Sequence, residues 1–97
     1  MSKVEAEYVI PMYGLPYEIT PAREVRVCVE EGANMSRVIE AMKKQMPALD
    51  GRVFRRGEDR LEQGYKFNVN GKFYFDGQEF HVHAGDKIAL LMPVSGG

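Results

Sequence analysis

One segment of this chain carries the periodicity of an amphipathic helix, and the apolar patterns before and after it alternate in the manner of strands. Met35, Val38, Ile39, Met42 and Met46 fall at i, i+3, i+4, i+7 and i+11, which lines them along one stripe of an α-helix. Asn34 is placed to cap its start. Pro47 cannot continue a helix and disfavours the α conformation at Met46, so the helix is predicted to end just before it. A lone helix with a single apolar face needs a sheet to cover that face.

The strands that supply the sheet read as follows. Val4, Ala6, Tyr8 and Ile10 alternate with Glu5, Glu7 and Val9, the period-2 pattern of a half-buried strand over residues 4–10. Residues 11–17 are rich in turn formers, with Pro21 soon after, and read as a long hairpin connection. Val25, Val27 and Val29 alternate with Arg26, Cys28 and Glu30 in a second, β-branched strand that Gly32 closes. Beyond the helix, Tyr65, Phe67 and Val69 lead into Asn70-Gly71, a dipeptide suited to a type I′ hairpin. Asp76-Gly77 offers another such turn. Phe73 and Phe75, then Phe80 and Val82, read as short apolar strands, and Gly85-Asp86 leads into a final strand over residues 86–92. The expected order is β-β-α-β-β-β. Between helix and last strands, residues 50–64 set Arg52, Arg55, Arg56 and Arg60 against Glu58, Asp59 and Glu62. This segment reads as a solvated loop with at most a short helical turn.

Composition removes several function classes. Ninety-seven residues at 44% hydrophobic content suit one domain, residues 1–97, burying about 60–65% of its unfolded surface. Thirteen basic and fourteen acidic side chains leave a net charge of −1, which gives no broad positive field for nucleic acid or an acidic membrane. The longest apolar run, residues 88–94, is too short to span a bilayer. A single cysteine, Cys28, cannot form an internal disulfide and fits a reducing compartment, so a cytoplasmic location is expected. Cys28 lies between Val27 and Val29, where a packing role is expected rather than a nucleophilic one. His81 and His83 share a strand face, but two ligands leave a tetrahedral metal site incomplete, and no metal is expected. Asn34-Met35-Ser36 matches a glycosylation sequon, yet without a secretion signal Asn34 reads as the helix cap.

The chemistry concentrates in the last residues, Met92-Pro93-Val94-Ser95-Gly96-Gly97, which follow the apolar final strand. Glycine has no Cβ, so a diglycine can thread a narrow channel with backbone angles closed to other residues. Six extended residues reach about 20 Å at roughly 3.3 Å each, enough to enter a partner's buried pocket while the body docks outside. An α-carboxyl group, with a reference pKa of about 3.5, is an anion at neutral pH and a poor electrophile. It must be activated before it reacts. Adenylation would turn it into a mixed anhydride, which sulfur attacks to give a thiocarboxylate and an amine attacks to give an amide.

The element order, Asn68-Val69-Asn70-Gly71, the turn Ala84-Gly85-Asp86-Lys87 and the tail ending in Gly96-Gly97 together resemble the ubiquitin-like sulfur-carrier family. Its members include the small subunit of molybdopterin synthase and the thiamine-pathway carrier. The resemblance implies an α+β fold of β-grasp type: a mixed sheet, one main helix packed across it, and residues 93–97 as a flexible projecting tail. It implies that an E1-like enzyme, using ATP, adenylates Gly97, which then carries sulfur as a thiocarboxylate. Gly96 would be the slender neighbour that admits the tail to both enzymes. Leu91, Met92, Pro93, Val94 and Ser95 would dock against the activating enzyme and against a sulfur-using enzyme such as a molybdopterin synthase large subunit. No bound cofactor is implied. Leu90 and Leu91 stand where molybdopterin synthase small subunits often have aromatic residues, and Met92 where many have proline. Cofactor biosynthesis is the expected destination of the sulfur, molybdopterin or tungstopterin first, with thiamine and tRNA thiolation beside it. Two other readings stand: a protein modifier joined to lysines through Gly97, and a noncovalent binding module of the same fold.

Overall fold

The computed structural model describes residues 4–14 and 19–92. Strand β1 (Glu5–Tyr13) pairs antiparallel with β2 (Glu24–Glu30), helix α1 (Met35–Gln45) follows, and a 3-10 turn covers Pro47–Leu49. Strands β3 (Lys66–Val69), β4 (Lys72–Tyr74) and β5 (Ile88–Leu91) complete a five-stranded sheet in the order β2-β1-β5-β3-β4. The sheet is mixed, because β5 runs parallel to β1 and antiparallel to β3. This is the arrangement expected of a β-grasp domain.

Helix α1 forms where its stripe requires it. Met35, Val38, Ile39 and Met42 are buried, and the Asn34 side chain accepts a hydrogen bond from the Arg37 N–H at 3.1 Å, a standard N-cap. Met46 is the C-cap and is only partly buried, so the stripe ends one turn earlier than its spacing suggests. Across from the helix, Val25, Val27 and Val29 of β2 join Tyr8, Ile10 and Met12 of β1 in one continuous core. The Asn70-Gly71 turn is a two-residue hairpin with φ of 53° and 91°, both positive as type I′ demands.

Four expectations are corrected. First, β1 does not stop at Ile10 but runs through Pro11 and Met12 to Tyr13. The Met12 N–H donates to the Arg23 carbonyl at 2.8 Å, so even-numbered residues of β1 bond β2 and Pro11 sits where its missing N–H would face away. Val4, read as inward, shares the parity of Tyr8 and Ile10 but lies before the strand begins and is 69% exposed. Second, Phe80 and Val82 are buried but belong to no strand. Val82 exchanges backbone bonds with Gly32 and Ala33, the connection between β2 and α1. Third, of the short strand read at Phe73 and Phe75, β4 keeps Phe73 and ends before Phe75, and the two apolar rings face outward, 46% and 51% exposed.

Fourth, residues 50–64 are not a solvated loop. Val53, Phe54 and Leu61 are fully buried, Phe54 bridges both Asp50 and Leu61, and its ring lies 6.3 Å from that of Phe67. The charges are organised around this apolar centre. Lys43 Nζ reaches from α1 to Asp50 at 3.2 Å and Asp59 at 3.5 Å, while Arg55 and Arg60 converge on Asp76 at 3.1 and 2.9 Å.

The turn before β5 is tied to the β3–β4 hairpin through side chains. Asn70 Nδ2 donates to Asp86 Oδ1 at 3.0 Å, and the His83 N–H donates to Asp86 Oδ2 at 2.8 Å. These two bonds, Asn70 first, hold the Asp86 carboxyl below its usual range. A folded-state value below the unfolded one stabilises the fold above the ordinary carboxyl pKa of about 4, and that contribution is lost as the pH falls through the lowered value. The urea midpoint of Asp86→Ala is therefore expected to trail the parent by a constant margin above about pH 4 and by a shrinking one below it. A margin independent of pH would show that the carboxylate charge plays no part.

Candidate functional site

The site grows from β5, the middle strand of the sheet. Ile88 and Leu90 point into the core, with Leu90 fully buried, while Ala89 and Leu91 turn to the opposite face and are only half-buried. Backbone pairing on both sides holds this strand: Leu91 lies opposite Tyr13 of β1 and Lys66 of β3. The pairing carries one residue further, because the Met92 N–H donates to the Tyr13 carbonyl at 3.1 Å. Met92 packs against the core edge, and Gly14 makes room for it. At Gly14, with φ of 82°, an added Cβ would stand 3.3 Å from the Met92 Cβ. Leu91 and Met92 thus stand at the end of β5; Pro93, Val94, Ser95, Gly96 and Gly97 lie outside the described residues.

Around Leu91 the face of the sheet away from α1 is apolar and aromatic. Tyr13 is 57% exposed and Val9 42%. In the neighbouring row Ala89, Asn68 and Phe73 stand side by side. Lys66 Nζ lies 4.8 Å from the Phe73 ring centre and 5.8 Å from that of Phe75, a cation-π contact that holds both rings against the sheet. A shallow cavity of about 370 Å³, lined by Val9, Pro11, Tyr13, Asn68, Lys87 and Ala89, adjoins this surface. A face of this kind suits a protein partner, since exposed aromatic groups beside a charged rim are what interfaces bury.

Tyr13, Phe73 and Phe75 were missed as site residues, each for a definite reason. Tyr13 falls in a stretch whose prolines and glycine suggest a turn. Phe73 and Phe75 look like core because they are aromatic. The hairpin register carried the missing signal: a two-residue turn at Asn70-Gly71 pairs Asn68 with Phe73, and a polar partner places Phe73 on the outer face.

Elsewhere, Cys28 is exposed opposite Glu7, correcting its expected packing role. His81 is occupied by the backbone, its Nδ1 donating to the Gly32 carbonyl at 2.9 Å, and the His83 ring lies 4.0 Å from Asp86. Among the described residues no group of three or more His, Cys, Asp or Glu is arranged to hold a metal. Nor is any helix among them long and apolar enough to cross a membrane.

Known proteins share this architecture. Residues 11–97 match the model of the ThiS family. Small archaeal modifier protein 1 of Haloferax volcanii is 37% identical over 81 residues, covering 82% of this chain and 88% of that protein. A crystal structure of the Haloferax volcanii protein superimposes with a TM-score of 0.73 at 29% identity, over 92% of this chain and 99% of that one. The solution structure of small archaeal modifier protein 1 from Methanosarcina acetivorans has a TM-score of 0.68 over 97% of this chain and 99% of its own. At 23% identity it speaks for the fold alone.

Proposed function

The chain belongs to the ThiS family, and from that premise we propose that it is a ubiquitin-like sulfur carrier whose reactive group is the Gly97 carboxylate. The observation that carries this reading is the extent of the family match, which runs through Gly96 and Gly97. An E1-like enzyme supplies the activation. A carboxylate oxygen attacks the α-phosphorus of ATP, pyrophosphate leaves, and an acyl-adenylate forms. A sulfur nucleophile at the oxidation level of sulfide then attacks the acyl carbon, expels AMP and leaves a thiocarboxylate. The chain is the co-substrate and contributes no catalytic side chain of its own, and ATP is bound by the partner. The sulfur goes to cofactor biosynthesis, molybdopterin or tungstopterin first, through a sulfur-using enzyme such as a molybdopterin synthase large subunit.

A second reading uses the same acyl-adenylate but lets a lysine amine attack it, giving an amide. It is favoured by one observation, the 37% identity to a protein named as a modifier. Intact mass after incubation with an E1-like enzyme, ATP and a sulfide source tests the first reading. Replacement of one terminal oxygen by sulfur is expected. No change of mass with a partner shown to be active would remove sulfur carriage, and amide-linked adducts on other proteins would move the weight to the second reading.

Docking in either case uses Leu91, Met92 and the residues that follow to Ser95. Leu91 is half-exposed and held by backbone pairing, so Leu91→Asp should leave the fold intact. Burying the new carboxylate at the centre of an interface costs about 2 kcal/mol or more, roughly a 30-fold loss of affinity for the E1-like partner. Unchanged affinity in titration would take Leu91 out of the interface.

A further inference from the structure

Strand β2 is an edge strand, and its outer side is self-complementary in both hydrogen bonding and charge. Among the described residues the sheet order leaves β2 paired only with β1. The Met12 N–H donates to the Arg23 carbonyl and the Glu31 N–H to the Val4 carbonyl, both at 2.8 Å, which fixes the alternation along the strand. Odd-numbered residues of β2 turn their backbone groups toward β1. Glu24, Arg26, Cys28 and Glu30 turn theirs outward. Of these, the Glu30 carbonyl already accepts from the Ala33 N–H at 3.0 Å, so the unencumbered groups are centred on Arg26 and Cys28.

Only a few antiparallel registers let a second copy of this strand meet those groups. A two-fold axis at Arg26 sets Arg26 against Arg26, and one at Val27 sets Glu24 against Glu30; both place like charges opposite each other, which destabilises a ladder. A two-fold at Cys28 instead sets each Arg26 opposite the other copy's Glu30. It also pairs Val27 with Val29 and Cys28 with Cys28. A two-fold at Val25 would oppose Glu24 and Arg26 but leave Cys28 beyond the partner strand, so among registers that engage both Arg26 and Cys28 charge selects one. Glu30 can take part because its carboxylate is held only at 3.5 Å by Arg37 and keeps acceptor capacity.

We propose that the outer edge of β2 is a self-association surface, on which two copies of this chain pair antiparallel about Cys28 to make one continuous sheet. The proposal is independent of the sulfur-carrier reading and goes beyond it. An axis through this pairing stands perpendicular to the sheet. Both aromatic faces around Leu91 then lie on the same side, so the pair presents two docking faces together. The contact is short, about five residues from each copy, and the association is correspondingly weak, with its midpoint in the upper micromolar range or above.

Sedimentation of the full chain from micromolar to millimolar concentration tests this directly, with a concentration-dependent dimer as the expected result. Arg26→Glu makes both cross-strand pairs repulsive and should raise the dissociation constant about ten-fold. The double variant Arg26→Glu/Glu30→Arg restores opposite charges across the axis and should recover most of the loss. Thermal midpoints of each variant separate a folding defect from an interface defect. In the proposed register the Cys28 Cα atoms stand about 5.5 Å apart, within disulfide range. Diamide, which takes up the two electrons and two protons released, should therefore link the two thiols faster in the parent and the double variant than in Arg26→Glu. A chain that stays monomeric at millimolar concentration overturns the proposal. So does a dimer that is indifferent to Arg26→Glu or is not rescued by the second substitution.

Discussion

Removal of Gly96 and Gly97 is expected to abolish both thiocarboxylate and amide formation while leaving the stability of the domain unchanged. Stability should be spared because, among the described residues, every buried apolar one lies between Tyr8 and Leu90. Reactivity is lost because the truncated chain ends at Ser95, which offers a carboxylate two residues short and flanked by a side chain. An activating site built around a residue with no Cβ meets that side chain where it needs backbone. Effective reaction also requires the carboxylate within near-attack distance of the nucleotide, and a shortfall of about 7 Å in reach cannot be recovered by a body held at its docking face. The measurements are ATP–pyrophosphate exchange with the E1-like partner, expected to fall to background, and noncovalent affinity for the same partner, expected to stay within a few-fold. A truncated chain that retains function would sink both covalent readings together and leave the noncovalent module standing.

The helix was legible in the sequence, apart from the burial its spacing suggests for Met46, because its signals are local. The stripe from Met35 to Met42, the cap at Asn34 and the stop at Pro47 all act within a few residues, and the structure repeats each of them. The hairpin at Asn70-Gly71 was legible for the same reason. What escaped is non-local. Pro11 and Met12 are strand residues because β2 pairs with them on one side, Pro11 opposite Glu24, and β5, about eighty residues further on, meets Met12 and Tyr13 on the other. No property of residues 11–17 alone announces that partner. Exposure at Phe73 and burial at Phe54 are likewise set by which surface meets them, and neither follows from the residues around it. For the site, Leu91 and Met92 could be read from the apolar strand that precedes the diglycine, whereas Tyr13 and Lys66 join them through cross-strand register.

The charged segment 50–64 shows how strongly a count of charges can mislead. Four arginines and three acids within eleven positions, 52–62, suggest a loop held in water, yet the same stretch contributes Val53, Phe54 and Leu61 to the core at 0% exposure. The charges close the lobe from outside. Lys43 pins its start to α1 through Asp50 and Asp59, and Asp76 gathers Arg55 and Arg60 at its far side. These groups sit at the surface, partly or well exposed, and surface pairs contribute little each, a median of about 0–1 kcal/mol. The apolar centre must therefore supply most of the lobe's stability.

Phe54→Ala is accordingly expected to cost about 3–5 kcal/mol, the range for a large aromatic removed from a packed core. The ring is fully buried and lies 6.3 Å from Phe67, which in turn meets Phe80 edge-on at 5.5 Å, so its loss opens a cavity beside the aromatic cluster beneath β3. Against a total stability of about 5–15 kcal/mol for domains of this size, that loss lowers the thermal midpoint by more than about 10 °C. Arg52→Ala, two residues away and exposed, is the matched control, with an expected change within about 0.5 kcal/mol. Urea denaturation of the two variants side by side decides the matter. A Phe54→Ala chain no less stable than Arg52→Ala would mean that the lobe opens without consequence for the sheet, and that α1 and the five strands hold the fold without it.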